Sequence, residues 1–341
     1  AAGRVTLPGE AMKDVYWLLA ESHTALKHTD EAIQYYRLIV KNHPKSDIGV
    51  DALYRLAHHL QQKGAFREAS QHYSRVAAEQ PAGKLAAQAL FASGFCLSKE
   101  GMDAEAVREW AALATRYPAD PLAEQALYQK AMHEVRLKRD ADALASLDDL
   151  VKRFAKTRFL ADAQYWRGVV LKEQGKMDEA EKALREVSRG EPRPELALEA
   201  QFHLAGVLQK KGAQEEAARL YQELISSSIK EKLGPELLQW LSEFWCARKE
   251  FDAALAGARA IVDRSRDAAW QQTGWCLQGR AHLGKGDAKS ARAAFASAVK
   301  ADARTPGLAE AALRLGELSL AEGAHAEAAV HFTKAAEVAG G

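Results

Sequence analysis

Apolar residues recur along this chain at offsets of 0, 4 and 7. Examples are Ala32, Tyr36 and Ile39, then Ala69, Tyr73 and Val76, then Ala106, Trp110 and Leu113. That spacing lines one face of an α-helix, so each set predicts an amphipathic helix. The sets themselves repeat. Stepping by 37 residues from Ala32 lands on Ala69, Ala106, Ala143, Ala180, Ala217, Ala254, Ala291 and Ala328, an alanine at every step. Twelve residues before each stand Ala20, Ala57, Gly94, Ala131, Gly168, Ala205, Ser242, Gly279 and Gly316, all small. Small residues at two fixed places imply two helices whose backbones approach closely there. Each unit is therefore predicted to be a helical hairpin, nine in all.

Between the two small positions lies a third register: Lys27, Gly64, Gly101, Lys138, Gly175, Gly212, Lys249, Gly286 and Gly323. Its glycines mark the end of the first helix, where a positive φ is needed that glycine adopts without strain. After Gly101, Asp103 is the expected N-cap of the second helix. Proline closes four units (Pro44, Pro81, Pro118, Pro192) and opens helices at Pro121, Pro194, Pro235 and Pro306, never falling inside a predicted helix.

A small residue, a Gly turn, an invariant Ala, an aromatic four residues on and a closing Pro resemble the tetratricopeptide repeat (TPR), over almost the whole chain. The resemblance implies an all-α fold, a right-handed superhelix (α-solenoid) of nine antiparallel helix pairs, here at a pitch of 37 rather than the usual 34. The longer unit is similar to the repeats of bacterial envelope proteins, the outer-membrane-assembly lipoproteins and the Tol-Pal-associated periplasmic proteins. An envelope-associated or periplasmic location follows from that similarity, with the cytoplasm as the alternative.

Composition agrees with helices: 68 alanines, 9 prolines and one asparagine, Asn42, in 341 residues. The net charge of +1 is spread evenly, leaving neither 1–229 nor 230–341 the basic excess of a nucleic-acid binder. No apolar run approaches the roughly 18 residues of a membrane span, and the first ten residues hold no signal-peptide core, as would also be so in a mature protein. Cys96, Cys246 and Cys276, with no CxxC pair, are expected to be small buried thiols.

Repeats 4 and 7 depart most from the pattern, and the tract 226–236 between repeats 1–6 (1–229) and repeats 7–9 (230–341) reads as a slightly longer link in a continuous solenoid, with a hinge there as the alternative. No polar capping helix follows repeat 9, which stops at Ala339, Gly340 and Gly341. That ending points to a segment of a longer protein, or to an end covered by a partner or by self-association.

A second aromatic ladder, also at pitch 37, supplies the sharpest candidate site: Trp17, Tyr54, Phe91, Tyr128, Tyr165 and Phe202, lapsing to Gln239, Cys276 and Leu313. By the resemblance this position borders the concave groove where TPR ligands lie. Rigid aromatics there suit a peptide, or the sugar rings of a polysaccharide. The alternative is that they only pack each hairpin together. His58, Lys99, Arg136, Lys172 and Lys210 lie further round the same helices, making the groove mildly basic and favouring an acidic segment or a terminal carboxylate. Trp240 and Trp270 fall outside the structural register and are a second candidate patch, whereas Trp245 and Trp275 are expected in the core.

No cofactor or metal is expected. His133-Glu134 begins like HExxH, but position 137 is Leu. The adjacent histidines His58 and His59 point different ways on a helix, and no nucleophile elbow, phosphate loop or dinucleotide fingerprint occurs. The expected function is a non-enzymatic scaffold that binds a peptide or protein segment in bacterial envelope assembly. The alternative is a carbohydrate-contacting scaffold of exopolysaccharide export.

Overall fold

The computed structural model describes residues 9–301, 303 and 305–339. Gly340 and Gly341, which figure in the expectation about the chain's end, lie outside the described residues. Two compact units divide the chain at residues 163 and 164. The first contains the hairpins α1 (Gly9–Ala25)/α2 (Thr29–Asn42), α3 (Asp47–Gln62)/α4 (Phe66–Glu79), α5 (Ala86–Lys99)/α6 (Asp103–Arg116) and α7 (Leu122–Arg136)/α8 (Asp140–Arg153). Helix α9 (Leu160–Glu173) crosses the division and precedes α10 (Met177–Glu186). The second unit continues with α11 (Pro194–Lys210)/α12 (Gln214–Leu224), α13 (Pro235–Ala247)/α14 (Phe251–Arg264), α15 (Ala268–Gly284)/α16 (Ala288–Lys300) and α17 (Pro306–Ala321)/α18 (His325–Ala339). Apart from two 3-10 turns at Val187–Gly190 and Lys230–Lys232, these eighteen helices are all the regular structure among the described residues, which contain no strand.

Every hairpin turns at the third register. Gly64, Gly101, Gly175, Gly212, Gly286 and Gly323 have φ between 73° and 85°, and Lys27, Lys138 and Lys249 are held at 60°, 55° and 64°. The left-handed residue lets the next amide reach back into the finished helix, as in Ala65 N–H to Leu60 O (2.9 Å) and Met102 N–H to Leu97 O (2.9 Å). The turn persists with lysine because the helices on both sides dictate it. Asp103 is not the N-cap: the cap residue is Met102, whose side chain makes no capping bond, and Asp103 opens α6. Its carboxylate faces the next hairpin instead, accepting from Arg136 (3.2 Å) and lying 2.7 Å from His133 Nδ1.

The invariant alanines are sealed, from Ala32 through Ala291 at 0 % exposure and Ala328 at 2 %. The small position on the first helix meets the side chain four residues past the alanine on the second. A Cβ added to Gly94 would lie 2.6 Å from Trp110, one at Gly279 2.5 Å from Phe295, and one at Gly316 2.5 Å from Phe332. Glycine at these three positions makes room for a large ring between the helices, and Gly168 does the same for Leu184, 2.5 Å from an added Cβ. Where the ring is absent the pair adjusts, as in repeat 7, where Ser242 faces the Ala258 register and its hydroxyl donates to Ala254 O (2.9 Å).

Cys96 and Cys276 are buried thiols, and burial pushes both up to about 12. Cys246 differs from expectation in being half-buried, one residue from the end of α13. The tract 226–236 is tied into the second unit. Ile229 and Leu233 are buried in its core. The Arg264 guanidinium donates to the backbone oxygens of Ile225 and Lys230, the latter at 2.8 Å.

Candidate functional site

The ladder residues stand on the first helices of their hairpins with one edge turned inward. Trp17 meets Tyr36 at 5.8 Å between ring centroids, Tyr54 meets Tyr73 at 5.3 Å, Phe91 meets Trp110 at 6.5 Å and Phe202 meets Tyr221 at 5.9 Å. Three of these are edge-to-face and the fourth is tilted, geometries that hold the helices together while leaving part of the ring uncovered. Trp17, Tyr54, Phe91, Tyr128 and Phe202 are accordingly half-buried. Tyr128 stacks flat on Phe159 at 4.2 Å. Tyr165 is buried at 6 % exposure, and its hydroxyl donates to Glu199 (3.2 Å). The ladder is thus both packing and surface, except at Tyr165, where it is packing.

In the first unit Tyr54, His58 and Phe91 come together in an open cleft of about 610 Å³. Gln61, Tyr73, Gln88 and Ala92 complete its walls, with Asp120 and Pro121 from the link ahead of α7 and Leu122 at the start of that helix. Tyr73 donates to Gln61 Oε1 (2.9 Å) and Gln62 to His58 Nε2 (3.0 Å), so the polar rim is already oriented. Sequence reasoning missed Gln88 and Asp120. Gln88 lies one turn before Phe91 and was legible as a groove position; Asp120 belongs to the link, whose path no periodicity reports.

The basic candidates have different surroundings. Lys99 is exposed, its ammonium 5.3 Å from the Phe95 ring centroid, and Arg136 is 61 % exposed and paired to Asp103. In the second unit Lys172 is half-buried with its Nζ 3.2 Å from His203 Nδ1, and Lys210 is exposed one turn beyond Gly206. Burial, then the neighbouring Lys210 charge, lowers the Lys172 pKa. Burial with the charges of Lys172 and Lys232 pulls His203 down to about 4, so at neutral pH the imidazole is uncharged and its Nδ1 accepts from the ammonium. Lys232 is engaged by Glu199 (2.7 Å).

Trp240 and Trp270 both pack, partly buried, against the same apolar core of the second unit. Trp240 lies edge-on to Tyr221 (6.2 Å) and stacked on Phe244 (5.4 Å), half-buried against the core. Trp270 lines a cleft of about 370 Å³ with Gln239 and Cys276, two of the lapsed ladder positions, and with Glu243, Arg280 and Glu310. Trp245 is in the core, while Trp275 is half-buried beside the Phe295 cluster rather than enclosed by it. The residues that began like a zinc motif are consumed structurally. His133 binds Asp103, and Glu134, at 3 % exposure, accepts from Ser146 (2.5 Å) and Lys130 (2.8 Å). His58 and His59 diverge as expected, with rings at 62° and His59 Nε2 turned to Thr24 (3.1 Å).

Hairpins of this construction, joined in series, define a helical-repeat protein. One tetratricopeptide repeat model matches residues 128–191, 167–232 and 276–341, and a second matches 14–46 and 88–120. The chain belongs to the tetratricopeptide repeat family. Among solved structures it is similar to a tetratricopeptide repeat protein from Parabacteroides merdae (17 % identity, 80 % of this chain and 98 % of that one, TM-score 0.44). It is also similar to YrrB, described as a TPR protein with an unusual peptide-binding site (17 %, 56 % and 90 %, 0.43). A third is Pseudomonas aeruginosa PilF (16 %, 63 % and 91 %, 0.40). No curated protein matches the chain. No described helix is long and apolar enough to cross a membrane.

Proposed function

We propose that this protein is a non-enzymatic scaffold that holds a peptide or protein segment against the first-helix faces of its hairpins. The observation that carries the reading is the cleft of the first unit, where the uncovered faces of Tyr54 and Phe91 flank a rim already oriented by hydrogen bonds. Rigid aromatic area costs little entropy to bury, and preorganised polar groups fix a peptide's register. In the second unit Lys172 and Lys210, beside a neutral His203, favour an acidic segment or a terminal carboxylate. The likeness of the 37-residue unit to envelope repeats supports a role in bacterial envelope assembly, on the periplasmic side.

Peptides selected against the intact chain from a random library, then titrated calorimetrically, test this. Tyr54→Ala with Phe91→Ala is expected to weaken the selected peptides at least tenfold, about 1.4 kcal/mol, with the helical circular dichroism retained. Undiminished affinity in that variant, or binding of oligosaccharides with no peptide selected, overturns the reading.

A further inference from the structure

The turn of the first hairpin gathers His23, His28 and Glu31, whose ligand atoms all lie within 4.8 Å of one another. The backbone produces that meeting. Lys27 at φ 60° sends the chain back so that the His28 amide donates to His23 O (2.8 Å), which sets the two imidazoles side by side with centroids 5.7 Å apart. Tyr35 stacks on His23 at 5.5 Å and 18°, fixing its ring plane. The His23 Nδ1 is buried without a hydrogen-bond partner, and the His28 side chain, although at the N-cap of α2, makes no capping bond. Asp30, beside Glu31, is already taken by Lys63.

The repeat register shows that an apolar pair suffices to close this turn in three other repeats, while the remaining five vary and repeat 8 places His282 at the His23 position. Where repeat 1 has His23 and His28, repeats 2, 3 and 6 have Leu60 and Ala65, Leu97 and Met102, and Leu208 and Ala213. An apolar pair closes the turn there. Two histidines in its place leave a buried ring nitrogen unsatisfied, a cost that a Lewis acid bound to it would remove.

We infer that His23, His28 and Glu31 form a binding site for a divalent transition-metal ion of the zinc type. Two imidazoles and one carboxylate supply three of four tetrahedral positions, and the exposure of His28 and Glu31 leaves the fourth to water or a partner's donor. Metal bound there ties the end of α1 to the start of α2.

The test uses the intact chain and the metal alone. Calorimetric titration with Zn2+ is expected to show one site, and Co2+ is expected to give visible d–d bands of a low-coordinate site. His23→Leu with His28→Ala copies the native turn of repeat 2 and so is expected to fold unchanged while losing at least tenfold in affinity; Glu31→Gln is expected to weaken binding by about tenfold. In the unaltered protein, substoichiometric Co2+ is expected to broaden the ring proton resonances of His23 and His28 before those of His58 and His59. Equal Zn2+ affinity in the double variant, absence of binding by the unaltered chain, or earlier broadening at other histidines overturns the proposal.

Discussion

Lys27, Lys138 and Lys249 occupy left-handed backbone that six other repeats give to glycine. A side chain with a Cβ costs about 1 kcal/mol in that region. All three lysines are exposed, so replacing them removes no buried contact. Lys138→Gly is expected to stabilise the chain by about 0.5–1 kcal/mol, measured as a higher urea midpoint at unchanged slope. Gly94 marks the opposite case. Gly94→Ala drives a Cβ into Trp110 and is expected to cost about 1–3 kcal/mol. Adding Trp110→Leu, which recreates the Ala131 and Leu147 pairing of repeat 4, is expected to recover part of it, so a double-mutant cycle should show coupling above about 0.5 kcal/mol. His203 bears on pH. Its folded pKa is near 4 and its ordinary value 6.5, so between those limits the unfolded chain binds the extra proton. Stability is therefore lost as pH falls from 6.5 to 4. His203→Gln is expected to flatten that part of a melting-temperature profile against pH.

At the scale of elements, the hairpins were legible in the sequence because each rests on local periodicity: small residue, turn, alanine, ring. The links between hairpins were not. Arg153 and Arg264, three pitches apart, both reach back to the end of the second helix of the preceding hairpin and to the link that follows it. Arg153 donates to Ala114 O and Pro118 O (3.3 Å each), and Arg264 to Ile225 O and Lys230 O. A guanidinium there satisfies orphan acceptors at the negative end of the helix. Arginine stands at this register in three units, Arg116, Arg153 and Arg264, while the other six carry unrelated residues, so no steady repeat signal announces the contact. Arg264→Ala is expected to cost about 2 kcal/mol and to make the tract 226–236 a preferred cleavage site in limited proteolysis, which it is not expected to be in the unaltered protein. The candidate site divides the same way. Tyr54 and Phe91 were readable from pitch, but the wall at Asp120 was not, because it lies in a link.

For the whole molecule, repeats contact chiefly their neighbours, so stability is a sum of local terms rather than one cooperative core. The chain resolves into two compact units, each with its own buried clusters. Four of the seven tryptophans, Trp240, Trp245, Trp270 and Trp275, lie in the second unit between residues 240 and 275. Tryptophan fluorescence therefore weights that region, whereas circular dichroism counts every helix. Urea unfolding followed by the two probes is expected to give curves that do not superimpose, and coincident curves would show a single cooperative transition. The sequence alone determined the helices, the turns, the pitch and the family, since all of these follow from residues within one repeat length. Tertiary structure decided what became of the side chains on the shared faces. It buried Tyr165 while leaving Phe91 half open, spent His133 and Glu134 on neighbours, and set His23 against His28. Burial and partnership depend on contacts across a turn, as for His23 and Glu134, or some 30 positions away in an adjoining hairpin, as for Tyr165 and His133, and a one-dimensional pattern shows recurrence but not contact.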